Sequence, residues 1–121
     1  MASVLIVDDE TDVIEVLQDR LESYGLKVSS AESGLQALGK LSQEKFDGIF
    51  LDLRMPGMDG LTTLGEIRKT DKTTPIIVIT AFSNKEAAVA AEAKGANEYL
   101  IKPFEWPDLK RKIEQTFHIA F

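Results

Sequence analysis

The chain has 121 residues, 44% of them hydrophobic, enough for one domain whose core is covered on two faces. A net charge of −6 argues against binding nucleic acid through bulk charge, and no apolar run is long enough to span a membrane or to open the chain as a signal peptide. Without cysteine there is no disulfide or thiolate chemistry, and the expectation is a cytoplasmic protein.

The first apolar run, Val4-Leu5-Ile6-Val7, stops at Asp8-Asp9 and reads as a buried parallel strand. Val13, Leu17, Leu21 and Tyr24 then form an apolar stripe at helical spacing, opposed by Asp12, Glu15, Asp19 and Glu22, with Gly25 just past the helix end. Leu26-Lys27-Val28-Ser29 alternates, which predicts a half-exposed edge strand. Ser33 with Gln36 has the pattern of a capping box for a helix carrying Leu35, Leu38 and Leu41 inward. Gly48-Ile49-Phe50-Leu51 runs into Asp52; Asp59-Gly60 reads as a turn and cap for a helix with Leu61, Leu64 and Ile67 inward. Ile76-Ile77-Val78-Ile79 runs into Thr80, and Ser83 with Glu86 precedes an Ala-rich helix ended by Gly95. Tyr99-Leu100-Ile101 runs into Lys102-Pro103, and the last helix has Pro107 near its first turn with Leu109, Ile113 and Phe117 on one face.

Strand and helix thus alternate five times without a repeat or linker, which predicts an α/β fold in a single domain over residues 1–121. Right-handed crossovers, three continuously apolar strands and two mixed ones fit a parallel five-stranded sheet in the order 2-1-3-4-5, doubly wound by helices. In such a sheet ligands bind beyond the carboxyl ends of the strands, so Asp8, Asp9, Asp52, Thr80 and Lys102 are expected to converge on one edge. Three carboxylates brought within about 4 Å repel by roughly 1 kcal/mol per pair in water and about 4 kcal/mol at an effective dielectric near 20. A cation must sit among them. Oxygen donors without His or Cys favour a hard ion, Mg2+ over Ca2+, and Lys102 adds a second positive charge. A carboxylate beside both cations is set up as a nucleophile toward phosphorus, with the Thr80 hydroxyl placed to donate to a phosphoryl oxygen.

Asp8-Asp9-Glu10, Leu51-Asp52-Leu53-Arg54-Met55-Pro56-Gly57-Met58-Asp59-Gly60, Ile79-Thr80-Ala81 and Tyr99-Leu100-Ile101-Lys102-Pro103-Phe104 together resemble the receiver domain of bacterial two-component response regulators, over essentially the whole chain. The resemblance implies a flavodoxin-like (βα)5 three-layer sandwich. It implies that Asp52 accepts a phosphoryl group from a histidine kinase or histidine phosphotransfer protein. By the same resemblance Asp9 and Asp52 would bind Mg2+ directly, Asp8 through water, and the backbone carbonyl of Arg54 would complete the protein ligands. Thr80 and Tyr99 would be the switch pair, Lys102 the phosphate-sensing cation, and the Lys102-Pro103 bond cis. Output would pass through the face of the fourth helix, fifth strand and fifth helix, to an effector or a second copy, with no direct nucleic-acid or membrane binding. Arg54-Met55-Pro56-Gly57-Met58-Asp59-Gly60-Leu61 is similar to receivers of the nitrogen-regulation type, which precede an ATPase and a DNA-binding domain; a stand-alone receiver and a receiver cut from a larger regulator both fit.

Taken alone, Asp8 and Asp9 read as helix caps; joined to Asp52, Thr80 and Lys102 they read as a site. Phe104 and Trp106 read as structural, and His118 as solvated. An aspartate-nucleophile phosphohydrolase of the haloacid dehalogenase type wants a second acid two residues after the nucleophile, where Arg54 stands. An FMN carrier fails at Asp8-Asp9-Glu10, which would repel a phosphate. The chain is therefore expected to be no enzyme beyond its own phosphorylation and slow autodephosphorylation, because Arg54 and Phe82 offer no acceptor to orient a water.

Overall fold

Short runs of Val, Ile and Leu cannot satisfy their backbone groups alone, and here they do so by pairing side by side as parallel strands. The computed structural model describes residues 2–55, 57–81 and 84–119. In it β1 (Ser3–Val7), β2 (Lys27–Ala31), β3 (Gly48–Leu51), β4 (Ile76–Thr80) and β5 (Glu98–Ile101) alternate with α1 (Thr11–Ser23), α2 (Gly34–Gln43), α3 (Gly60–Thr70), α4 (Lys85–Ala93) and α5 (Trp106–Phe117). The sheet order is β2-β1-β3-β4-β5 with every pairing parallel, as the apolar pattern predicts.

Successive residues of the central strands point to opposite faces, and two cores result. Leu5, Val7, Ile49, Leu51, Ile76 and Val78 meet Ala37 of α2, Leu64 and Ile67 of α3 and Ala91 of α4. Val4, Ile6, Phe50, Ile77 and Ile79 meet Ile14, Leu17 and Leu21 of α1 and Leu109, Ile113 and Phe117 of α5. Each fully buried aliphatic side chain contributes about 1.5–3 kcal/mol. At the lower edge the Phe117 ring packs edge-on to Phe50, centroids 5.2 Å apart, and fills the space a Cβ on Gly48 would need.

Gly25 and Gly95 end α1 and α4 with φ of +89° and +110°, as expected. Asp59 caps α3, its side chain accepting the Thr62 N–H at 2.8 Å. Three local readings change. Leu35 is 70% exposed, and Gly34 and Ala37 face the core instead, flanked by the half-buried Leu38 and Leu41. Ser33 accepts the Gln36 N–H at 3.1 Å, but Gln36 Oε1 returns to the Glu32 N–H at 2.7 Å, one residue before the cap. The cap of α4 is Asn84, which accepts the Ala87 N–H at 2.7 Å; Phe82 and Ser83 lie outside the described residues.

Candidate functional site

β1 and β3 are neighbours, so the residues that follow them, Asp8 and Asp52, emerge side by side at the carboxyl edge. Both are buried, with exposures of 4% and 6%. Each is held in the same way. Asp8 Oδ1 accepts the Glu10 N–H at 3.0 Å, and Asp52 Oδ1 accepts the Arg54 N–H at 3.0 Å. The other oxygen of each faces one ammonium: Lys102 Nζ is 3.3 Å from Asp8 Oδ2 and 3.3 Å from Asp52 Oδ2. Lys102 is tied in turn to β4 by its backbone N–H, which donates to the Thr80 carbonyl at 2.8 Å, and the Lys102-Pro103 bond is cis.

One ammonium cannot neutralise this many carboxylates. Burial pushes Asp8 above the usual carboxylate range, against the Glu10 N–H and Lys102, which pull it down. Burial works against the charge of Lys102 too, but Asp52 and Asp8 outweigh it and hold the ammonium above its usual range. Lys102 is therefore a cation at neutral pH.

The carboxylate oxygens of Asp8, Asp9 and Glu10 come within 4.8 Å of one another. Asp9, Glu10, Asp52, Arg54 and Lys102 share an open cleft of about 810 Å³ that admits water. A donor set of oxygens alone, partly hydrated, fits a hard divalent ion of the Mg2+ kind. Of the expected site residues, Asp8, Asp52 and Lys102 are brought into direct contact, while Asp9 and Arg54 line the cleft. Thr80 is fully buried at the end of β4, one strand from Tyr99, with Val78 opposite Tyr99 and Thr80 opposite Ile101. Tyr99 is half-buried; burial and then the charge of Asp52 push its phenol above the usual range. Sequence reasoning missed the apolar wall of the cleft, Val13, Met55, Leu61 and Ala87, which come from four separate segments. Asp59, read as a cap, also borders the cleft.

The sequence pattern of the response regulator receiver domain matches residues 4–114. The chain belongs to that family. It is 39% identical over 113 residues to the transcriptional regulatory protein ZraR of Escherichia coli K12, covering 93% of this chain and 26% of that protein. It is 38% identical to the DNA-binding transcriptional regulator NtrC of the same organism, covering 93% of this chain and 24% of NtrC, in keeping with the nitrogen-regulation resemblance. The receiver thus spans about a quarter of the length of these relatives. Among solved structures it is similar to the response regulator protein TrrA from Thermotoga maritima in complex with Mg2+ and BeF, with a TM-score of 0.87, 38% identity and coverage of 95% of this chain and 98% of TrrA. Among the described residues no helix is long and apolar enough to cross a membrane.

Proposed function

We propose that this receiver accepts a phosphoryl group on Asp52 from the phosphohistidine of a histidine kinase or phosphotransfer protein. One carboxylate oxygen of Asp52 forms the new bond to phosphorus while the bond between phosphorus and the imidazole nitrogen breaks, and the leaving imidazole takes a proton from solvent. The single observation that carries this reading is Lys102 shared between Asp8 and Asp52 at 3.3 Å each, a cation already placed where charge on the phosphoryl oxygens develops. Asp9 and Asp52, with Asp8 through water and the Arg54 carbonyl, are the residues that would hold Mg2+. When bound, the ion neutralises phosphoryl oxygens and screens the carboxylates from the incoming anion. Arg54, two residues after Asp52, presents donors only and gives a water no acceptor, so the phosphorylated state is long-lived.

Output passes through Thr80 and Tyr99 to the face of α4, β5 and α5, where Val89 and Ile101 are 59% and 41% exposed and await an effector or a second copy. The setting is cytoplasmic, as a single receiver domain over residues 1–121.

The test is incubation with acetyl phosphate and Mg2+ followed by intact-mass measurement. A single phosphoryl adduct is expected on the parent and none on Asp52→Asn, because an amide is a poor nucleophile toward phosphorus. Labelling of that variant at the parent's yield would assign the reaction to another residue.

A further inference from the structure

The reach of Lys102 poses a geometric problem. In the order β2-β1-β3-β4-β5, β5 stands two strands from β3 and three from β1, about 10 and 14 Å at the usual strand spacing. A lysine ammonium extends at most about 6 Å from its own Cα. With the 3.3 Å contact and the length of an aspartate side chain added, the ammonium reaches Asp52 readily but Asp8 only near full extension, so the placing of the chain around Lys102 decides whether it touches both carboxylates.

The residues that follow Lys102 are held by α1. The Phe104 ring meets the Trp106 ring edge-on, with centroids 5.6 Å apart at 85°, and both pack against the core on the α1 and α5 face. Arg20 of α1 lies over the other part of this stack, its guanidinium carbon 4.5 Å from the Trp106 centroid. A second contact of the same kind crosses the seam in the opposite sense: Lys110 Nζ of α5 lies 5.4 Å from the ring of Tyr24, at the end of α1. Only the first of the two falls on the residue that opens α5, four after Lys102, and reaches the loop through the Phe104 ring.

We infer that Arg20 and Trp106 are positioning residues for Lys102, clamping the loop after β5 against α1 so that the ammonium reaches Asp8 and Asp52. The inference rests on phosphorylation at Asp52 as proposed above. Arg20 touches no reacting atom; it acts through Trp106 and Phe104 on the backbone that aims Lys102. Small displacements of an aimed charge carry large kinetic effects, so the clamp shows in the rate more than in stability.

Four variants test it: Arg20→Ala, Trp106→Ala, the conservative Trp106→Phe, and Tyr24→Ala, which removes the contact on the same seam remote from Lys102. With acetyl phosphate as donor and saturating Mg2+, Arg20→Ala and Trp106→Ala are expected to lower the maximal phosphorylation rate by about three- to tenfold, leaving the half-saturating donor concentration unchanged. Trp106→Phe restores most of the loss, and Tyr24→Ala keeps the parent rate. In the metal-free chain, the NMR resonance of the Lys102 ε-methylene group shifts in Arg20→Ala and stays in place in Tyr24→Ala. The clamp is overturned if Arg20→Ala changes neither the maximal rate nor that resonance, or if Tyr24→Ala lowers the rate as far. Arg20 is half-exposed, so its variant decides the matter even where Trp106→Ala does not fold. A parent that takes no phosphoryl group would remove the functional reading, and the Lys102 resonance would still judge the clamp.

Discussion

At the amino end of the sheet, the carboxylate of Asp71 accepts the backbone N–H groups of Thr73 and Thr74 at 3.1 and 3.0 Å and the Thr74 hydroxyl at 2.5 Å. At the carboxyl end, Asp8 has the Glu10 N–H and a share of Lys102. Burial acts to raise both. For Asp71 the Thr74 and Thr73 donors, with Arg68, outweigh it and the group lies below its usual range; for Asp8 the Glu10 N–H and Lys102 do not, and it lies above. One end of the sheet solvates its acid with protein groups and gains stability. The other gives Asp8 less than its burial demands, which costs stability and keeps that carboxylate available to an incoming cation.

The largest test of this contrast removes the shared cation. Lys102→Ala should lower the rate of phosphorylation by acetyl phosphate by about a hundredfold, the cost of one lost charge-stabilising donor, while Mg2+ binding, followed by titration calorimetry, tightens. Mg2+ binding weaker than in the parent would mean that Lys102 organises the carboxylates more than it competes for them. Next in size are the two acids themselves. Asp8→Asn is expected to stabilise the metal-free fold by about 1 kcal/mol and Asp71→Asn to destabilise it by about 1 kcal/mol, read as opposite shifts of the urea midpoint at constant slope. Shifts of the same sign would break the contrast.

The smallest effect is in pH. With its value held below 3.8, Asp71 contributes stability that is fully present above pH 3.8 and is lost as pH falls through its folded value. Asp8, raised from 3.8, acts in reverse: the folded state keeps its proton longer, so the cost of its charge grows as pH rises from 3.8 through the folded value. Carboxyl resonances followed by NMR without metal should place the Asp71 midpoint below that of Asp8. The opposite order would show that Lys102 serves Asp8 better than the geometry indicates.

The strand order and the trio of Asp8, Asp52 and Lys102 were legible because each apolar run ends on a polar residue, and a parallel sheet leaves those ends nowhere to go but one edge. The inward face of α2 was not. Hydrophobic ranking put Leu35 inside, whereas α2 lies so close to α3 that a Cβ on Gly34 would run into Thr63 Oγ1 and come 3.0 Å from Met58 Sδ, so small residues take the contact. Nor could spacing find Arg20 over Trp106, or Arg68, which donates to the Gly95 carbonyl at 3.0 and 2.9 Å and to Asn97 Oδ1 at 3.0 Å. Long polar side chains meet distant partners after the layers have packed, and periodicity records nothing of that encounter.

The ring of Phe117 over Gly48 bears on where this receiver can be excised or joined to other proteins. The family pattern ends at residue 114, yet a fragment cut there would uncover Gly48 and expose the edge of Phe50 at the foot of the sheet. A fusion junction belongs after Ile119, which still packs against the α1 and α5 core once the φ of 56° at His118 has carried the backbone out of α5.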